Sequence, residues 1–230
     1  MGEWRSALRL GAPSWVYPED VLPNVRRLAG LVQDVEWLVL EVAHGVPGPE
    51  LAAGLAELGQ GYGHSYTVHL PLDLPLAAGD ERVRAEAVET ARRVIGATQA
   101  VRPWAYIVHL DPPPAVGGDG GGATPREAVA WGPWHDRAAE SLCALGAEAG
   151  GQELVAVENV PEYPAEELEP LLERLEVSLC LDVGHLLRQG RDPRALDGFG
   201  PSICMAWKMG TTTGSLRPWT RGCCSGSCAP

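Results

Sequence analysis

Six short apolar runs recur along residues 9–198, at 10–12, 37–41, 66–70, 106–110, 154–158 and 179–182. Stretches of helical period rich in Ala, Leu, Arg and Glu lie between them. Each run is too short for a helix and too continuously apolar for a strand with one wet face; strands buried on both faces of a parallel sheet read this way. The helical spacing predicts helices over 21–31, 49–58, 82–97, 126–149 and 165–175. Strand and helix alternating in one direction give a parallel α/β fold. The segment 112–124, with three Pro and five Gly, reads as a flexible loop or insertion rather than a domain boundary.

No Gly-rich dinucleotide or P-loop fingerprint follows the first run, which argues against a Rossmann-type sheet. Six strands and a damaged seventh point instead to a (β/α)8 TIM barrel, incomplete at its C-terminal end, with the eighth strand missing. Such barrels take about 250 residues, and this chain has 230. The expected organisation is one barrel over 1–198 followed by an aberrant tail over 199–230.

The runs end, at one phase, in groups that bind metal or move protons: Glu41, His69, His109, Glu158, then Asp182 and His185. The C-terminal ends of parallel barrel strands share one mouth, so residues far apart in sequence converge there. Imidazoles and carboxylates together suit Zn²⁺ or Mn²⁺. In Asp182-Val183-Gly184-His185 the carboxylate sits on the strand and the imidazole on the following turn, with Gly184 allowing the backbone to bend.

Each residue also has a plainer explanation. A His ending a buried strand is commonly a hydrogen-bonded structural residue, Glu41 could cap the next helix, and Asp182 could belong to a turn. The joint pattern is harder to dismiss, because a barrel interior does not otherwise need a charged group at one phase on strand after strand. His44, His64 and His135 lack that phase and read as surface or loop residues. Cys143 on a helix and Cys180 in a strand read as small buried apolar groups, and two thiols make no disulfide framework.

Thirty acidic against 18 basic side chains give a net charge of −12, which disfavours a broad grip on nucleic acid. No stretch reaches the roughly 18 uncharged apolar residues of a membrane span, and the N-terminus lacks the pattern of a secretory signal. A cytoplasmic protein acting on a small-molecule substrate is the expectation, and nothing sets an oligomeric state. The charge is uneven. All the acids lie in 1–198, whereas 199–230 carries a net +3, the only Lys, the only Phe and four of the six Cys. A basic tail of low order and a small Cys-rich knuckle are two readings, although the Cys spacing fits no common zinc pattern. Translation out of frame explains more. One base earlier, Cys204-Met205 must encode His or Tyr, Met205-Ala206 Gly, Trp207-Lys208 Glu and Lys208-Met209 Asp or Asn. The permitted string is V-H-L-H-G-x-E-D-G-D-D-H, which has the strand-then-ligand form of the upstream runs.

Four motifs, Val68-His69-Leu70-Pro71, Val108-His109-Leu110-Asp111, Val157-Glu158-Asn159 and Leu181-Asp182-Val183-Gly184-His185, resemble the xylose-isomerase-like barrel superfamily of sugar-phosphate isomerases/epimerases and endonuclease IV. The segments Gly11-Ala12-Pro13-Ser14-Trp15-Val16 and 65–74 most resemble the cobamide-remodelling phosphodiesterases, the CbiR family, over roughly residues 8–198. In such proteins the seventh strand resembles V-H-L-H-G, which only the alternative frame supplies.

The resemblance implies that His69, His109, Glu158, Asp182 and His185 hold a divalent metal, Mn²⁺ or Zn²⁺, or contact the substrate phosphate. Glu158 and His185 would be catalytic, and Glu41, Asn159 and Trp15 would bind substrate. The implied reaction is metal-assisted hydrolysis of the phosphoribosyl (nucleotide-loop) bond of a cobamide such as cobalamin, the cobamide being substrate and not cofactor. A corrinoid face needs an apolar wall, for which Trp15, Trp37 and Trp104 are candidates, with ordinary packing as the competing reading. The rivals are a sugar-phosphate isomerase/epimerase using paired carboxylates, an abasic-site endonuclease, which the net charge disfavours, and a barrel left defective by its tail.

Overall fold

The computed structural model describes residues 9–113, 131–191 and 203–204. Within them, seven strands form one wholly parallel sheet in sequence order: β1 (Gly11–Pro13), β2 (Asp34–Leu38), β3 (Ser65–His69), β4 (Tyr106–Val108), β5 (Val155–Glu158), β6 (Ser178–Cys180) and β7 (Ile203–Cys204). The helices are α1 (Val21–Leu28), α2 (Pro49–Tyr62), α3 (Glu81–Thr98), α4 (Trp131–Ala149), α5 (Glu169–Arg174) and α6 (Val183–Arg188). This is the (β/α)8 architecture, incomplete at its C-terminal end, with β1 and β7 as the edges of the described sheet. The loop expected over 112–124 falls outside the described residues beyond Pro113. So does the tail, apart from β7, and with it the readings of the tail as aberrant, of low order or out of frame.

Alternation along each strand makes two separate cores. Val35, Trp37, Tyr66, Val68, Tyr106, Val108, Val155, Val157, Leu179 and Leu181 face outward into the apolar layer beneath the helices. Ile107, Ala156 and Cys180 face inward and form a second cluster, against which Trp104 packs. Helix signals are local: Asp80 accepts hydrogen bonds from the backbone N–H groups of Arg82 and Val83 to start α3. Pro49 occupies the first turn of α2, and Gly63 ends that helix at φ +73°, a left-handed conformation that glycine adopts without strain.

Several sequence expectations need correction. The second strand begins at Asp34, three residues before the apolar run, and ends at Leu38. Its first residues alternate acid with apolar, a pattern set by an inner face that is polar. A sixth helix, α6, starts directly after Asp182, where the sequence suggests a turn. Gly184 has no left-handed φ; what it supplies is space, since a Cβ there would lie 3.0 Å from Asp182 Oδ1. His64 is not on the surface: it is 6% exposed and bonds the Tyr66 hydroxyl at 2.8 Å. His135 is half-buried on the Glu167 carbonyl, and His44 alone of the three is exposed. Trp37 is 1% exposed in the outer core.

The lower end of the barrel is closed by a polar layer. Asp34, 6% exposed, accepts hydrogen bonds from Ser65 Oγ, from Thr67 Oγ1 at 3.2 Å and from Trp104 Nε1 at 2.8 Å. Trp104 therefore belongs to the floor and not to a substrate wall. Removing this acid takes away an acceptor that Thr67 and Trp104 use, while Ser65 Oγ keeps the Gln33 carbonyl at 3.2 Å. Asp34→Ala is expected to lower the unfolding free energy by about 2–4 kcal/mol in urea titrations. A loss below about 1 kcal/mol would mean that water replaces the carboxylate.

Candidate metal centre at the barrel mouth

The inward positions of β3, β4, β5 and β6, followed one layer above the apolar plug, bring His69, His109, Glu158, Asp182 and His185 together. Their ligand atoms form two sets, each with all its atoms within 4.8 Å of one another: His69, His109 and Glu158, and Glu158, Asp182 and His185. Glu158 is common to both. Its side chain and that of His69 are each 1% exposed, whereas His109 and His185 keep 18% and 16% open to the mouth.

Backbone carbonyls set the two outer imidazoles. His69 Nδ1–H donates to the Leu70 carbonyl at 2.7 Å, so its Nε2 faces Glu158 Oε2 at 3.0 Å. His185 Nδ1–H donates to the Asn159 carbonyl at 2.7 Å, which leaves Nε2 free, 3.7 Å from Asp182 Oδ2. Asp182 divides its carboxylate: Oδ1 accepts from His185 N–H at 2.9 Å and caps α6, and Oδ2 faces the cluster. The His109 ring stands edge-on to that of His69, with centroids 4.9 Å apart.

Burial alone would keep both members of the innermost pair neutral. Desolvation raises the Glu158 pKa, but the approach and charge of His109 and His69 outweigh it and hold the carboxyl well below the usual carboxylate range. Desolvation likewise lowers His69, yet the bond to Glu158, the charges of Glu158 and Glu36 and the Leu70 carbonyl leave it above its ordinary value of 6.5.

These donors fit a cation. With its Nδ1–H committed to Leu70, a neutral His69 would turn a lone pair toward a carboxylate oxygen 3.0 Å away; only a proton or a cation between them removes that repulsion. His109 Nε2 lies 3.3 Å from the same oxygen without hydrogen-bond geometry, and both it and Glu158 Oε1 are buried with no hydrogen-bond partner. Two ligands on one ion at ~2.1 Å lie about 3.4 Å apart at a tetrahedral angle. The observed spacings of 3.0, 3.3 and 3.7 Å straddle that figure.

Three other expected residues lie elsewhere. Glu41 is three residues past the end of β2, exposed, and caps nothing with its side chain; the phase assigned to it came from carrying the strand on through Val39 and Leu40. Asn159 is 1% exposed and its amide bonds the backbone of Asp182 on both sides, so it is not directed at substrate. Trp15 is 47% exposed in the loop after β1. The residue that sequence reasoning missed is Glu36, on the inner face of β2 and in register with Thr67. The acid–apolar alternation of Asp34-Val35-Glu36-Trp37 was the signal that could have found it.

No protein-family model matches this sequence, and no curated protein matches it. Solved structures do. A D-tagatose 3-epimerase-like protein is 20% identical with a TM-score of 0.66, over 86% of this chain and 74% of that one. The 3-keto-D-glucoside 4-epimerase of E. coli is 15% identical with a TM-score of 0.57, over 85% and 78%. Endonuclease IV from Thermus thermophilus is 16% identical with a TM-score of 0.53, over 76% and 62%. The fold these proteins share with the chain is the TIM barrel. At these identities the likeness reaches no further than the fold.

The pKa directions fix a pH response for the metal-free protein. A raised His69 pKa contributes stability that is complete below 6.5 and lost as pH rises through the folded-state value; a depressed Glu158 pKa contributes stability present above 4.5 and lost as pH falls through its own. The pair thus stabilises the metal-free chain most between those two ordinary values. The Tm of chelator-treated protein is expected to fall as pH rises above 6.5, and His69→Phe should abolish that fall. A slope unchanged in the variant would assign it to other groups.

Proposed function

We propose that this chain is a divalent-metal-dependent phosphodiesterase that hydrolyses the nucleotide-loop phosphoribosyl bond of a cobamide. The observation that carries the reading is the pair of donor sets sharing Glu158. A single-ion centre needs only one set, and His69 and His109 add a second on the opposite oxygen of the carboxylate. Bound divalent ions would supply Lewis acidity, lowering the pKa of a coordinated water and offsetting charge on the phosphate oxygens.

The protein's own residues prepare that chemistry. Glu158, sealed from solvent, presents one oxygen to each donor set. The Leu70 and Asn159 carbonyls hold His69 and His185 with Nε2 available. His109 and His185, partly open, reach a substrate entering from the mouth, which makes His185 the candidate for proton transfer there. The loops leaving β1, β2 and β3 expose Trp15, Val16, Val42, Val46 and Leu72. An apolar rim of this kind favours a substrate with a broad apolar face over a free sugar. The resemblance of 65–74 to the cobamide-remodelling phosphodiesterases points the same way.

The second reading is a sugar or sugar-phosphate isomerase/epimerase, and solved structures favour it: several with the same fold bear epimerase names. That chemistry needs a positioned carboxylate base, a role Glu158 could fill from the second donor set alone.

Incubation with cobalamin and Mn²⁺ or Zn²⁺ is expected to release cobinamide phosphate and an α-riboside, with D-tagatose and D-fructose unchanged. Epimerisation of the ketoses with cobalamin intact would establish the second reading, and neither reaction in metal-loaded protein would overturn both. His109→Ala is expected to reduce metal content and to lower phosphodiesterase turnover by about 10–100-fold; full metal content in that variant would remove His109 from the donor set.

A further inference from the structure

Asn159 follows Glu158 at the point where the β5–β6 ladder stops, the last register pair being Glu158 with Cys180. Beyond it the side-chain amide replaces the missing peptide pairing. Asn159 Nδ2 donates to the Asp182 carbonyl at 3.1 Å, and Asn159 Oδ1 accepts from Asp182 N–H at 2.7 Å. The backbone of Asn159 is used as well: its N–H donates to the Cys180 carbonyl at 3.2 Å, and its carbonyl accepts His185 Nδ1–H at 2.7 Å. One residue, buried at 1% exposure, therefore touches both other members of the Glu158–Asp182–His185 set while joined directly to the third.

We propose that Asn159 is a positioning residue of the metal centre. Its amide fixes the backbone of Asp182 from two sides, so the carboxylate cannot slide along the barrel axis relative to Glu158. Its carbonyl selects the His185 tautomer that leaves Nε2 as the ligand nitrogen. Primary amide and peptide share the same donor and acceptor chemistry, which is why Asn can continue a ladder that the diverging backbones can no longer make. Ser or Thr would offer one oxygen where two separate atoms are needed, and Gln would overreach by one methylene. The inference rests on reading the cluster as a metal centre, and it assigns Asn159 no contact with substrate.

Zn²⁺ titration of the chelator-treated full-length chain by calorimetry, with Co²⁺ absorption as a report on coordination geometry, tests this. Asn159→Ala is expected to weaken Zn²⁺ at the Asp182–His185 set by about 10–100-fold and to change the Co²⁺ spectrum. The ion held by His69 and His109 should stay as in the unaltered chain. Asn159→Asp keeps the acceptor for Asp182 N–H and loses the donor, so it should fall between the two and serves if the alanine variant does not fold. Unaltered Zn²⁺ affinity and Co²⁺ spectrum in either variant, with only a lower Tm, would overturn the proposal, because Asn159 would then merely fasten two strands. Absence of Zn²⁺ uptake by the unaltered chain would overturn the metal reading itself, and this inference with it.

Discussion

A carboxylate sealed at the end of a barrel strand is costly unless opposite charge or a cation meets it. Glu158 is such a group, and much of the upper barrel can be understood as its compensation. His69 and His109 crowd one oxygen and His185 approaches the other. In the metal-free chain Glu158 favours a proton on His69, whose own burial opposes that charge. The arrangement is thus stable enough to fold around yet not satisfied, with an imidazole nitrogen and a carboxylate oxygen left without hydrogen bonds.

The rest of the fold tolerates this tension by separating tasks along the barrel axis. At the bottom, Asp34 is satisfied by three side-chain donors and by the polar face of β2 and β3. In the middle, Ile107, Ala156 and Cys180 form a dry plug. The third layer holds the charged groups of both donor sets. Outside the sheet, a single apolar layer under the helices carries the bulk of the burial and does not depend on any ligand. The site can therefore change its protonation or take up an ion without the outer core repacking.

The sequence made the architecture legible because both faces of most strands are buried, and continuous apolar runs between helical stretches have few other interpretations. His69, His109, Glu158 and Asp182 were legible for the same reason: one polar residue at the end of an apolar run stands out. Glu36 did not stand out. It lies inside a strand whose inner face is polar, where acid–apolar alternation looks like a half-exposed strand. Glu41 was misplaced by the converse error, since Val39 and Leu40 continue the apolar run after the strand has ended at Leu38. His64 is buried on the Tyr66 hydroxyl, which in turn donates to the Leu55 carbonyl, a meeting of β3 with α2 that no local pattern announces.

The division of labour among the strands also bears on the incomplete end of the barrel. Among the described residues, every donor of both sets comes from β3 or β5, from within two residues after β4 or β6, or, for His185, from α6. β6, which leads to Asp182, is held on one side by β5 and by the Asn159 amide and, among the described residues, on the other by the two-residue β7. The Asp182–His185 set therefore has one firm neighbour, whereas His69 and His109 sit on strands paired on both sides. A two-residue ladder contributes little orientation, so the height of Asp182 beside Glu158 falls chiefly to a single buried amide. That asymmetry separates the two donor sets physically: the first is a property of the barrel wall, and the second is a property of one side chain bridging β5 and β6 just past the end of their ladder.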